Sequence, residues 1–210
     1  SDLVPDVCAG DVLVLEISSY QAEDSRWLHP KAACLLNITP DHAEHHGSYE
    51  AYVEAKARLF SAQGPEDVGV FNAADRTVKA LSASSKGSRL FFALHRKPGL
   101  NAWKDKGFLL FRLPGRTHRV RPPRLPGDHN LENAMAAGLM ALGTGTPVEA
   151  LARAFAAFRG VEHRIEPAGE IRGIACVNDS KATNVDSTLV ALRAFPKARK
   201  NLLLILGGLD

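Results

Sequence analysis

Short apolar runs alternate along this chain with segments whose apolar residues recur every three or four positions. Residues 12–15, 34–38, 68–71, 89–93 and 202–206 have the length and composition of buried strands. Between the second and third runs, Ser48 is a good helix N-cap. Glu50 falls in the first turn, and Tyr52, Ala55 and Leu59 repeat at helical spacing. Gly64-Pro65 marks a turn, and Asn72-Ala73-Ala74-Asp75 opens a short helix. Strands alternating with helices predict an α/β fold, a mostly parallel sheet covered by helices.

The pattern changes after residue 106. Two strand-like runs within residues 107–121 flank Pro114-Gly115, which predicts a small β-hairpin region. Pro122, Pro123, Pro126 and Gly127 then break the chain. Asp128-His129-Asn130 leads into an Ala-rich helix, and a second helix follows Thr146-Pro147 with the proline at its first position. Gly160 ends this pair and reads as a domain boundary. Residues 171–178 are strand-like again, DSKATN forms a polar turn, and a helix is expected near residues 185–195. The expected organisation is a domain over residues 1–160 and the start of a second α/β domain over 161–210. The chain stops just after its last apolar run, where an α/β domain is expected to continue.

A chain of 210 residues that is 45% hydrophobic and 23% charged can bury a core. Its apolar runs fall short of the roughly 18 residues of a membrane span. Asp2, Asp6 and Asp11, with no basic leader, do not read as a secretory signal. Three cysteines (Cys8, Cys34, Cys176) without a C-x-x-C suggest a reducing, cytoplasmic setting and no disulfide framework. The net charge of +3 is uneven, for residues 95–124 hold nine Lys or Arg against Asp105 alone. That segment could bind nucleic acid or be a solvated hairpin. Its aromatics, Trp103, Phe108 and Phe111, alternate with apolar residues as strand core does, so no nucleic-acid partner is expected.

Two strand ends carry candidate chemistry. The first run delivers Glu16, Ser18, Ser19 and Gln21, and the second delivers Thr39, Asp41 and His42. In open parallel sheets ligands collect beyond the carboxyl ends of the strands. The hexapeptide from Asp41 to His46 is dense in ligands, and a zinc reading would use His42 and His46 at i, i+4. The absence of a nearby Cys, with Gly47 following, ranks zinc below a hard cation held by oxygen. Glu16 and His42 across two strand ends suit a Mg²⁺ shared with substrate phosphates. In NDSKATN (residues 178–184), Asp179 can accept from sugar hydroxyls, Lys181 can pair with phosphate or carboxylate, and Thr183 can donate at a helix N-terminus. An N-capped strand-to-helix turn accounts for the same residues. Asn130 and Asn133, one helical turn apart, could read a base or cap a helix. Arg164, just past Gly160, could reach a phosphate across a domain gap.

Taken in order, LEISSYQ, LLNITPDHAEHHGSYEAYVEAKARLF, GDHNLENAMAA, FRGVEHRIE and VNDSKATN resemble the successive signatures of the Mur ligases over nearly the whole chain. E-x-SS-[FY]-Q and NDSKATN resemble the D-glutamate-adding branch of that family. The resemblance implies an ATP-dependent amide ligase of peptidoglycan and cell-wall synthesis. A γ-phosphate would pass to the alanyl carboxylate of UDP-N-acetylmuramoyl-L-alanine, and the amine of D-glutamate would attack the acyl phosphate. It implies Mg²⁺ held by Glu16, His42 and a carbamylated Lys56, since a bare ammonium repels Mg²⁺ and a carbamate offers it an oxygen anion. Ser18 and Gln21 would touch the UDP-sugar. Asn130, Asn133, Arg164, Asp179 and Lys181 would hold ATP, with Lys181 and Thr183 towards the ribose and incoming glutamate. The enzyme is expected to be a monomer. The alternatives are another Mur-type or folylpolyglutamate synthase-like ligase, or a non-catalytic module that keeps the fold. The family's phosphate loop, G-T-N-G-K-[ST], is absent from these 210 residues. The expectation is an internal piece of the enzyme, a central ATP-binding domain without that loop plus the beginning of the amino-acid-binding domain, inactive by itself.

Overall fold

A computed structural model of the chain describes residues 7–39, 43–196 and 201–207. Six strands form one sheet in the order β1 (Ala32–Leu35), β2 (Val68–Asn72), β3 (Ser88–Phe92), β4 (Ala102–Asp105), β5 (Phe108–Leu113) and β6 (Arg116–Val120). The first three pairings are parallel and the last two antiparallel. The mostly parallel α/β architecture expected from the alternating pattern is therefore present. β2 is buried at every position, as a strand covered on both faces must be.

Helices supply those covers. On one face Val70, Phe92, Leu109 and Phe111 pack against Met135 and Leu139 of α5 (Asp128–Gly143) and Leu151 and Phe155 of α6 (Val148–Ala157). On the other, Leu35, Ile38 and Phe71 meet Tyr52 and Phe60 of α3 (Tyr49–Ser61) and Val78 of α4 (Arg76–Leu81). Ser48 caps α3 through the Ala51 N–H, and Tyr52 and Ala55 are buried, as the helical spacing requires. Asp75 caps α4. Two shorter helices, α1 (Ser19–Asp24) and α2 (Ala43–His46), lie against α3.

Several expectations need correction. Residues 12–15 and 202–206 are not strands. Val12 and Val14 are 85% and 88% exposed, and Leu203 and Ile205 are 87% and 88% exposed. A strand exists by hydrogen bonding to a neighbour, and no described strand pairs with either segment. β1 begins two residues before the apolar run at 34–38, where Lys31 accepts from the Val68 N–H. Pro147 is the N-cap of α6 rather than its first residue. Residues 171–178 are not one strand. β7 (Glu166–Ile171) and β8 (Ile174–Asn178) form a separate antiparallel hairpin about Arg172-Gly173, followed by α7 (Val185–Arg193). The unforeseen β4 joins β5 through Lys106-Gly107. Both turns hold two consecutive residues at positive φ (44° and 79°; 52° and 80°), the geometry of a type I′ hairpin.

Candidate functional site

The carboxyl ends of β1 and β2 converge on the start of α5. Asn72, the buried last residue of β2, accepts from the Ala74 N–H through Oδ1, and its side chain faces the Glu132 carboxyl on α5 closely enough to favour its ionised form. Burial pushes the Glu132 carboxyl up. Asn72 opposes that shift and Asp128 adds to it. Asp75, just after β2, accepts the Ile38 N–H at 2.9 Å and so anchors the loop that leads from β1 towards His42. His42 itself lies outside the described residues.

The start of α5 has no side-chain cap. Gly127 precedes it at φ +89°, a conformation that favours glycine, and a Cβ there would stand 2.5 Å from the His129 ring. Asn130 Nδ2 donates to the Pro126 carbonyl at 2.7 Å, leaving its Oδ1 and second N–H to spare, while Asn133 is exposed. Asn130 therefore ties α5 to the preceding loop and does not serve as the helix cap that its position suggested. Burial lowers the His129 imidazole, against the pull of Asp179 and Asp128, so the β8–α7 turn faces the α5 N-terminus.

That turn is braced by the segment around Arg164. Asp179 Oδ1 accepts the Ile165 N–H at 3.0 Å, and the Lys181 N–H donates to the His163 carbonyl at 3.1 Å. Asn178 Nδ2 donates to His163 Nδ1 at 2.9 Å, and the His163 N–H donates to Glu166 at 2.8 Å. His163 and Ile165 sit at φ +65° and +48°, and for β-branched Ile165 that is strained. Strain of this kind persists only where surrounding contacts enforce it, and it concentrates at functional sites. The strained loop presents Arg164 to solvent beside exposed Lys181 and Thr183. Asn184 caps α7 with a capping box, so the N-capped turn read from NDSKATN is also real.

Lys56 stands on α3 with its Nζ 5.1 Å from the centre of the Tyr52 ring. Glu16 is exposed in the extended segment before α1, and α1 packs on α3. Ser18 and Gln21 hold one another: Ser18 Oγ accepts the Gln21 N–H, and Gln21 Oε1 accepts the Ser18 N–H at 2.9 Å. They are the capping box of α1, a structural duty that the apolar-run reading did not foresee. Sequence reasoning also missed Asn72, Glu132 and the bracing pair His163 and Asn178. The polar residues ending strand β2 were the available signal. In the basic segment, the Arg119 guanidinium lies 3.6 Å from the centre of the Phe108 ring, and Arg96 and Arg112 lie over Trp103.

No described helix is long and apolar enough to cross a membrane. Comparison with solved structures returns MurF from Acinetobacter baumannii, with a TM-score of 0.67 at 20% identity, over 84% of this chain and 39% of that one. A UDP-N-acetylmuramoyl-L-alanyl-D-glutamate–2,6-diaminopimelate ligase superposes with a TM-score of 0.64 at 23% identity, over 85% and 38%. These likenesses bear on the fold. Among curated proteins, the UDP-N-acetylmuramoylalanine–D-glutamate ligase of Elusimicrobium minutum is 43% identical over all of this chain and 46% of its own length. That of Myxococcus xanthus is 43% identical over 94% and 44%. The chain thus spans a little under half the length of the curated relatives it matches. The Mur ligase middle domain profile matches residues 7–141, the stretch that holds the whole six-stranded sheet and nearly all of α5, and the chain therefore belongs to the Mur ligase family.

Proposed function

We propose that this chain is the central part of an ATP-dependent ligase that adds D-glutamate to UDP-N-acetylmuramoyl-L-alanine in peptidoglycan synthesis. The observation that carries this reading is the identity of 36–43% to ligases of that name along essentially the whole chain. The proposed domain division is a nucleotide-handling unit over residues 1–160 and the opening of an amino-acid-binding unit over 161–210.

Within this reading the two braced surfaces share the work. Asp179 has one carboxylate oxygen committed to Ile165, which leaves Oδ2 to accept from ribose hydroxyls. Asn130, with Asn133 one turn on, offers an amide to the base. Arg164 and Lys181 supply positive charge to phosphates from a loop too constrained to wander. Thr183 and Lys181 face the incoming glutamate, and Ser18 and Gln21 face the UDP-sugar from the start of α1.

The donors at the other surface fit a hard cation on one condition. An unmodified Lys56 ammonium would repel Mg²⁺, whereas its carbamate, with Glu16 and His42, gives a mainly oxygen donor set. Mg²⁺ bound there would neutralise charge on the transferring phosphoryl group. The Tyr52 ring beneath Lys56 limits where the modified side chain can point.

The test is an assay of the full-length enzyme with UDP-N-acetylmuramoyl-L-alanine, ATP and a panel of amino acids. D-Glutamate should be the preferred acceptor, with ADP and phosphate released. Preference for any other amino acid overturns the substrate assignment. The isolated 210-residue chain should show no turnover.

A further inference from the structure

Glu23 of α1 and His45 and His46 of α2 each bring one ligand atom within 4.8 Å of the other two. Glu23 Oε2 lies 3.2 Å from His45 Nε2 and 3.3 Å from His46 Nδ1. A tetrahedral zinc ion, with metal–ligand bonds of about 2.0–2.2 Å, sets its ligand atoms roughly 3.4 Å apart. Two edges of such a tetrahedron therefore exist before any ion enters.

The rings are also held as ligands are held. The His46 side chain is 1% exposed, and its Nε2 is 2.9 Å from Ser19 Oγ, the outer contact that fixes tautomer and orientation in metal-bound histidines. Tyr20 covers His45, with ring centres 4.0 Å apart. When His46 donates from Nε2 to Ser19, its Nδ1 turns a lone pair towards the Glu23 carboxylate. A cation between the two relieves that repulsion and links α1 to α2. The fourth direction is open, because Glu23 and His45 are each nearly half exposed at the side chain.

We propose that Glu23, His45 and His46 form a binding site for one borderline transition-metal ion of the Zn²⁺ class, made of different residues from the proposed Mg²⁺ ligands Glu16, His42 and Lys56. Two imidazoles and one carboxylate suit Zn²⁺ and disfavour Mg²⁺ or Ca²⁺, which take oxygen. A bound ion would clip α1 to α2 on the face of α3 that carries Tyr52, whose ring lies 5.5 Å from that of His46.

The metal-free 210-residue chain should be titrated with Zn²⁺ against a chromogenic chelator, and with Co²⁺ as a spectroscopic probe. One ion per chain is expected, with the intense visible bands of low-coordinate Co²⁺ and no displacement by excess Mg²⁺. Glu23→Gln and His45→Gln, at partly exposed positions that spare the fold, should each weaken Zn²⁺ binding by at least about tenfold. Ser19→Ala should weaken it by roughly 10- to 100-fold through the outer contact. Unchanged affinity in both ligand variants overturns the proposal. So does a sulfur-to-Co²⁺ charge-transfer band, which would put the ion on a cysteine. Loss of binding in His42→Ala with Glu23→Gln unaffected would assign the ion to other ligands and likewise overturns it.

Discussion

Asp75 accepts the backbone N–H of Ile38 at 2.9 Å through Oδ2, while its Oδ1 accepts the Val78 N–H at 3.0 Å. One carboxylate thus caps α4 and ties down the loop after β1. Ile38 is buried, so its amide has no water to turn to if the carboxylate goes. Asp75→Ala should cost about 2–4 kcal/mol, roughly half from the cap and half from the stranded amide. Asp75→Asn, which keeps an acceptor oxygen, should cost clearly less. Urea unfolding of the two variants checks the order.

Gly138 on α5 sets two effects against each other. Alanine would favour the helix by about 1 kcal/mol. Its Cβ, however, would stand 2.5 Å from the ring of fully buried Phe111 and 3.3 Å from Leu151. Overpacking of this kind costs about 1–3 kcal/mol, so Gly138→Ala should be destabilising overall. A raised Tm would show that the ring can move aside.

Burial against the α5-side core pushes the Cys34 thiol up to about 12. At pH 8 its thiolate fraction is then on the order of one in ten thousand. Iodoacetamide should label exposed Cys8 readily and Cys34 only on unfolding, which peptide mass spectrometry will resolve. The linkage has a definite sign. The unfolded thiol ionises near pH 9 and the folded one only near 12, so this contribution is intact below pH 9 and lost progressively between 9 and 12.

Glu132 is raised in the folded state, chiefly by burial. A carboxyl raised on folding favours the native state at low pH, and that advantage is lost as pH climbs through its ordinary value towards the folded one. Glu132→Gln cannot ionise and can still accept from Asn72. It should raise Tm at pH 7 while changing it little at pH 4. Equal shifts at both pH values would exclude ionisation as the cause.

Lys56 carries the proposed carbamate. In the full-length ligase Lys56→Ala should lower kcat by on the order of 10²–10³-fold, the usual cost of removing a group that organises transition-state charge. Small added carboxylates should restore part of it. Near wild-type turnover would remove Lys56 from the mechanism.

What the chain disclosed on reading depended on range. Ser48, Tyr52 and Ala55 announced α3 because capping and spacing are local properties, and Pro114-Gly115 announced its hairpin for the same reason. Val12 and Leu203 looked like strand residues because apolarity is local too, yet pairing is not. Arg172-Gly173 and Lys106-Gly107 hid their turns, since the first residue of each is not a usual left-handed residue. The site divided along the same line. Asp179 and Lys181 were visible as a polar turn, but their bonds to Ile165 and His163, and the meeting of Asn72 with Glu132, join residues far apart in the chain.

The main sheet lists its strands in the order in which they are synthesised. Each described strand after the first can therefore dock on the one completed just before it, with the longest wait at β1, where Ala32 pairs with Val68. The loop that each parallel pairing must close shortens along the sheet, from Ala32–Val68 to Val68–Ser88 to Phe92–Ala102, so the entropic cost of adding a strand falls as the chain emerges.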